Sequence, residues 1–415
     1  MKRVVVTGMS SITALGEDTE AIFANLLAGV SGIRYMHEWE RYADLRTRLG
    51  GPVPQFTEPA HFTRKVKRGM GRVALMATIA AERAVADAGL LGDDILSNGQ
   101  TGVAFGSSSG NVEAIAEFGA MVLEDDVKKI NATSYIRMMG HTTAVNISVY
   151  FGLKGRTLPT SCACTSGSMA IGQAYEAIKF GKQTVMIAGG AEELSATQAA
   201  VFDVLFATSC RHDAPQHTPR PYDKNRDGLV IGEGAGCLVL EEYEHAVARD
   251  APIYAELIGY GSNTDGMHVT QPNQATMAEC MRLSLADASL QADAIHYINA
   301  HGTATEQGDI AESQATLEVL GGDIPISSLK GYFGHTLGAC GAIEAMLAIT
   351  MLQKQTFIAN LNLDEVDPAC APLNYIKNGA QHFSADCIMS NNFAFGGINT
   401  SLIFRKLATE AGTAA

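Results

Sequence analysis

Three residues of this chain form a unit that could carry acyl chemistry: Cys164, His301 and His335. Cys164 stands in Pro159-Thr160-Ser161-Cys162-Ala163-Cys164-Thr165-Ser166-Gly167, small residues that lead into Gln173-Ala174-Tyr175-Glu176-Ala177-Ile178. The pattern predicts a turn into a helix, with the sulfur near the positive end of the helix dipole. A thiol so placed is expected to favour thiolate, the form that attacks carbonyls. Its small neighbours leave room for a substrate. The histidines lie in His301-Gly302-Thr303-Ala304-Thr305 and Gly334-His335-Thr336-Leu337-Gly338-Ala339. One cysteine and two histidines suit carbon–sulfur acyl transfer.

Elements that could position these residues alternate along the chain. Val4–Gly8, Gly102–Gly106 and Thr184–Gly190 are short apolar runs ending in glycine, as buried parallel strands are. Helical stretches are expected at 71–89, 165–180, 273–290, 308–320 and 337–354. The alternation restarts with strands at Ile253–Tyr260, His296–His301, Ile324–Ser328 and Cys387–Asn392. A loop at 393–399 and a last strand at Thr400–Phe404 follow. The turn at Cys164 has a faint echo between Ser328 and Ala348, which suggests duplication. The expected halves are 1–250 and 251–407, with a disordered tail at 408–415.

At 415 residues, 47% apolar and 18% charged, the composition is that of a globular enzyme. A net charge of −14 argues against general nucleic-acid binding. No apolar run is long enough to span a bilayer, so no membrane insertion is expected. The eight cysteines contain no C-x-x-C pair and no zinc-site spacing, so no metal is expected. Without an export signal they read as reduced thiols of a cytoplasmic protein. Cys162 and the others outside the active centre read as packing residues.

Five motifs carry a family resemblance: Ala163–Gly167, Arg220–Gly228, Asn299–Thr305, Gly334–Ala339 and Asn392–Gly397. Together, in this order, the chain resembles the elongating β-ketoacyl-acyl carrier protein synthases. These are type II condensing enzymes of the thiolase superfamily. The resemblance implies an α/β, thiolase-like fold, duplicated as five αβαβα layers with the active site between the halves. It implies decarboxylative Claisen condensation of an acyl group on Cys164 with malonyl-acyl carrier protein, extending the chain by two carbons. No diffusible cofactor is implied, because the phosphopantetheine arm rides on the carrier protein.

The resemblance also assigns roles. His301 and His335 would stabilise the enolate, with Lys330 and Glu344 anchoring them. The backbone N–H groups of Cys164 and Phe395 would form the oxyanion hole, and the Phe395 ring would gate the acyl pocket beside Phe393. Thr303, Thr305 and Thr270 would bind the phosphopantetheine arm. Asn299, Ala300, Glu344, Ser390 and Asn391 match a monovalent-cation site of relatives. Arg64, Lys65, Lys67, Arg68 and Arg72, with Lys128, Lys129 and Arg211, form a basic cluster that would steer the acidic carrier. A homodimer is implied, and a heterodimer with a chain-length-factor-like paralogue stays open. Ser134 and Tyr135 would reach the neighbour's pocket.

Departures from the pattern concern the acyl chain. Ser109 stands where long-chain enzymes carry a bulky aliphatic gate. Asn131–Tyr135 is small and polar where relatives have proline and phenylalanines. Ala394 replaces a glycine and Ile398 a threonine, which would stiffen the gating loop. Tyr332–Ala342 and Asn391–Thr400 are similar to ketosynthases of aryl polyene pigment clusters. General fatty-acid elongation and a specialised polyene or polyketide pathway therefore both stay open. A non-catalytic partner subunit is disfavoured by the intact nucleophile. A thiolase is disfavoured because the final loop has no second cysteine.

Overall fold

The computed structural model describes residues 1–407; the expected tail at 408–415 lies outside the described residues. The first half is built on β1 (Val4–Ile12), β2 (Thr101–Gly106), β3 (Thr157–Thr160), β4 (Val185–Glu192) and β5 (Gly234–Glu242). The second uses β6 (Ala255–Thr264), β7 (Tyr297–Asn299), β8 (Pro325–Ser327), β9 (Cys387–Ala394) and β10 (Ile398–Arg405). The lateral orders are β3-β2-β4-β5-β1 and β8-β7-β9-β10-β6. The first three strands of each order pair in parallel, and the remaining neighbours pair antiparallel. The chain thus traces one topology twice, which gives physical form to the faint echo in the sequence. Antiparallel pairs from Val4 with Leu257 to Val6 with Ala255 join the halves into one 11-stranded sheet, completed at its edge by Asn374–Tyr375.

Helices fill the space on and between the halves. α1 (Arg72–Asp87) covers β1 and β5 from outside. α3 (Gln274–Ala288) covers β6 and β10, with α4 (Glu306–Leu320) beside it. α2 (Ser166–Lys179) and α5 (Cys340–Lys354) pack on each other and touch strands of both halves. The layers therefore run α-β-α-β-α. α5 is buried from Cys340 to Leu352, as its all-round apolar sequence requires. Each large aliphatic side chain it buries is worth about 1.5–3 kcal/mol.

Two of these ten strands escaped the sequence pattern. β3 is a short edge strand, and β5 begins Gly234-Ala235-Gly236, which carries little strand propensity. Gly236 is there because α5 crosses closely: a Cβ would lie 2.5 Å from the Ile343 nitrogen. The expected loop at 393–399 is instead a tight hairpin. β9 and β10 pair up to Ala394 and Ile398, leaving Phe395-Gly396-Gly397 as the turn. Both glycines have positive φ, 86° and 69°.

Candidate active site

Cys164 sits on a single turn, Ala163–Thr165, between β3 and α2. Ala163 holds a left-handed backbone, φ 48°, which turns the next residue out of the strand direction. Local bonds fix the turn: Ser166 Oγ accepts from the Cys162 N–H at 2.9 Å and donates to the Ala163 carbonyl at 2.7 Å. The second half repeats the device at Leu337, φ 47°, just before α5.

The two histidines come from the second half. His335 Nε2 lies 2.9 Å from Cys164 Sγ. The His301 ring stands perpendicular to that of His335, with centroids 5.1 Å apart. Lys330 Nζ lies 3.2 Å from His301 Nδ1 and 2.5 Å from Glu344 Oε1, with both ends of the ion pair buried. An ammonium only donates, so His301 Nδ1 accepts and its proton sits on Nε2. His335 Nδ1 is buried without a partner. An orphaned N–H costs more than an orphaned lone pair, so the His335 proton also belongs on Nε2.

Burial sets the charges. It depresses both histidines well below the usual imidazole range, with the Lys330 charge adding to the effect, so both rings are neutral. The thiolate expected from the helix dipole is corrected. Burial pushes the Cys164 thiol up to about 12, although Lys330 and the backbone amides of Phe395 and Cys164 oppose it. A terminal helix dipole acts with a fractional charge, whereas desolvation acts on the whole thiolate. Those two amides face the sulfur, the geometry of an oxyanion hole in waiting.

A cavity of about 450 Å³ ends on this centre. Thr270, Thr303, Thr305 and Phe393 line it with Cys164, His301 and His335, and the hydroxyls of Thr303 and Thr305 lie 2.8 Å apart. A second cavity of about 180 Å³ lies past Cys164 and includes Ser109. Phe395 borders both cavities, its ring packed 5.1 Å from that of Phe202. An approach cavity carrying three threonines, a nucleophile at its end and a separate pocket beyond it suit an acyl group delivered on an arm.

Family models decide the relationship. The β-ketoacyl synthase N-terminal domain matches residues 1–246 and the β-ketoacyl synthase C-terminal domain matches 254–364. This chain belongs to the β-ketoacyl synthases. A 3-oxoacyl-[acyl-carrier-protein] synthase 1 from Haemophilus influenzae is 36% identical, over 98% of this chain and 99% of that one. The crystal structure of a β-ketoacyl synthase from Burkholderia phymatum is 57% identical with TM-score 0.97, covering 98% of this chain and 100% of the other. The ishigamide ketosynthase/chain length factor structure is 30% identical with TM-score 0.88, covering 98% and 100%.

Other expected positions of this ketosynthase divide. Glu344 supports Lys330 rather than touching either cavity. Ser134 lines neither cavity: it is buried with its hydroxyl on Glu117, which also holds Arg137 at 2.8 Å. Arg64, Lys65 and Arg68 are exposed, but their segment lines neither cavity. Lys67 pairs with Glu58, Lys128 with Asp126 at 3.0 Å and Lys129 with Glu124 at 3.2 Å, which offsets part of the expected basic cluster. Arg72 is spent on Glu233 at 2.7 Å and on the Val53 carbonyl. Arg211 lies 3.8 Å from Asp227, which borders the larger cavity.

Three polar partners were missed as individuals. Asn392 Nδ2 holds Glu344 Oε2 at 2.7 Å and reaches His301 Nδ1 at 3.4 Å. Glu312 accepts the backbone N–H groups of His301 and Gly302, each at 2.7 Å, and fixes that turn. Cys340, read as packing, places its sulfur 3.2 Å from the Cys164 carbonyl. Asn392 lay inside a quoted motif; for the other two the signal exists only in three dimensions.

Proposed function

We propose that this ketosynthase condenses an acyl chain held on Cys164 with malonyl-acyl carrier protein, and that Cys164, His301 and His335 are its catalytic residues. The observation that carries the reading is the buried cluster at the end of the larger cavity. There a sulfur lies 2.9 Å from one imidazole, and a buried lysine fixes the proton position of the other.

In the first half-reaction Cys164 Sγ attacks the acyl thioester of the carrier. The carbon–sulfur bond to the carrier breaks, and the proton lost by Cys164 ends on the departing carrier thiol. The Cys164 and Phe395 amides hold the tetrahedral oxyanion, and the His335 Nε2–H supports charge on the sulfur as it forms. In the second, the two Nε2–H groups bind the malonyl thioester oxygen. Carbon dioxide leaves, its bonding pair becomes the enolate, and the enolate carbon attacks the acyl carbonyl. The Cys164–acyl bond breaks, and the thiolate takes up a proton from solvent. Thr303, Thr305 and Thr270 orient the phosphopantetheine arm of the carrier in the larger cavity.

No diffusible cofactor enters these steps. A monovalent cation would be held near Glu344: Asn299 Oδ1 is buried without a partner, while the Asn299 amide nitrogen meets Ser390 Oγ at 3.1 Å and the Asn299 side chain bonds Glu344. Such oxygen donors suit a hard cation, which would steady the strand beside His301. A dimer is supported by the exposed apolar residues Val122, Leu123, Tyr135 and Val149 on the first half. The ishigamide structure, a ketosynthase with a chain length factor, makes a heterodimer the second reading.

The test is intact-mass detection of acyl transfer from acyl-carrier proteins. Cys164→Ala is expected to abolish labelling. Cys164→Gln, which mimics the acylated state, is expected to keep or raise decarboxylation of malonyl-carrier. Absence of decarboxylation by the Cys164→Gln variant counts against the roles of His301 and His335.

A further inference from the structure

One buried carboxylate near the nucleophile takes no part in the reaction steps. Glu192 ends β4, is fully buried and lines neither cavity. Its Oε2 accepts the Ser108 N–H at 2.8 Å and the Gly338 N–H at 3.0 Å, and its Oε1 accepts from the Ser107 hydroxyl at 3.0 Å. Burial pushes the carboxyl up, and these hydrogen bonds oppose that shift. Ser107 and Ser108 follow β2 in the first half, whereas Gly338 belongs to the turn Leu337–Ala339 of the second. One side chain therefore bonds both halves where they cross closely. A Cβ on Gly338 would lie 2.7 Å from the Ser108 nitrogen and 2.8 Å from Glu192 Oε2.

His335 depends on this crossing. Its ring has no hydrogen bond at Nδ1, so nothing behind the ring sets its angle. The ring takes its place from the backbone that carries it. That backbone is held at His335 itself, whose N–H donates to the Val230 carbonyl at 2.7 Å and whose carbonyl accepts the Gly232 N–H at 2.9 Å. Three residues later the hold passes to Glu192 through Gly338. Leu337 of the same turn lines the smaller cavity together with Ser108 and Ser109. Ser109 Oγ lies 3.4 Å from Glu192 Oε1 and accepts from Gln198 Nε2 at 3.0 Å. Glu192 thus stands behind the wall of the acyl pocket and behind the turn of the histidine that faces Cys164.

We infer that Glu192 is a positioning residue: it locks the turn that carries His335 to the Ser107–Ser109 loop, and so keeps the His335 Nε2–H aimed at the reacting atoms. This role rests on the condensing reaction proposed above. It needs reach rather than charge. Glutamine has the same length, and its one carbonyl oxygen accepts both amides while its NH2 group donates to the Ser107 oxygen. Aspartate keeps the charge but is one methylene shorter, so it leaves an amide of one half or the other unpartnered and lets the turn shift. A misplacement of about 1 Å can cost up to about 100-fold in rate.

The experiment measures carbon dioxide release from malonyl-carrier protein by the full-length chain in the Cys164→Gln background, with urea unfolding to confirm that each variant is folded. Glu192→Asp is expected to lower kcat about 10- to 100-fold. The KM for malonyl-carrier is expected to change little, because Glu192 does not line the larger cavity. Glu192→Gln is expected to match its parent. In a His335→Ala background Glu192→Asp is expected to have no further effect, since a shifted turn cannot remove a donor that is already gone. Unchanged kcat in Glu192→Asp, an equal loss in Glu192→Gln, or a Glu192→Asp loss undiminished in the absence of His335 overturns the inference. No decarboxylation by the Cys164→Gln parent overturns the roles of the histidines themselves and the inference with them.

Discussion

Replacing Lys330 by methionine separates two things the structure ties together. Methionine keeps most of the stem and deletes the charge. The native ammonium is fully buried, 2.5 Å from Glu344 Oε1 and 3.2 Å from His301 Nδ1. Removing one partner of a buried ion pair typically costs about 3–5 kcal/mol. Glu344 keeps Asn392 at 2.7 Å, and burial already pushes its carboxyl up, so it can take a proton and bring the loss to the lower end of that range. The catalytic loss has a different origin. Without Lys330 only the longer contact from Asn392 Nδ2, at 3.4 Å, favours His301 Nδ1 as the acceptor, and the Nε2–H aimed at the enolate oxygen is lost in part of the population. Losing one aimed donor costs about 10²–10³ in rate. The assay is carbon dioxide release from malonyl-carrier in the Cys164→Gln background, compared with acyl loading in the Cys164 background. Decarboxylation is expected to fall, by up to that factor according to the share of molecules that lose the donor, and loading by less, because the Cys164 and Phe395 amides are untouched. Adding Glu344→Gln is expected to recover stability to urea without recovering decarboxylation. Unchanged decarboxylation in Lys330→Met, or its rescue by Glu344→Gln, would refute the tautomer argument.

Two further outcomes follow from other parts of the structure. Because burial holds the Cys164 thiol up at about 12, its alkylation by iodoacetamide, read by peptide mass, is expected to keep rising with pH. The rise is about tenfold per unit between about pH 6.5 and 9.5, and a plateau near neutrality would show a stabilised thiolate instead. Gly190→Ala places a Cβ 2.3 Å from the Gly338 carbonyl, behind the turn that carries His335. It is expected to cost about 1–3 kcal/mol in urea unfolding, and wild-type stability would mean that this crossing yields more easily than close packing allows.

Much of the frame was legible because it depends on local pattern. Short apolar runs, three of them ending in glycine, marked most of the core strands, and the five expected helical stretches match α1 to α5 closely. Cys164, His301 and His335 stood out because each lies in a small-residue turn, where function rather than packing dictates composition. β5 was not legible, since its glycines answer to α5 crossing overhead and not to strand propensity. The thiol's charge state was misjudged for a related reason. The dipole of α2 can be read from its sequence, but the desolvation of Cys164 comes from residues far along the chain.

The sequence by itself determined the elements, the nucleophile and the two histidine turns, because residue type and short-range spacing encode them. The tertiary structure alone decided which histidine nitrogen carries the proton, since Lys330 and Glu344 reach His301 only across the fold. It alone placed the Ser134 hydroxyl on Glu117 and set Gln198 beside Ser109. Those facts depend on distances between residues separated in sequence, and they are fixed only when two copies of one topology close around α2 and α5.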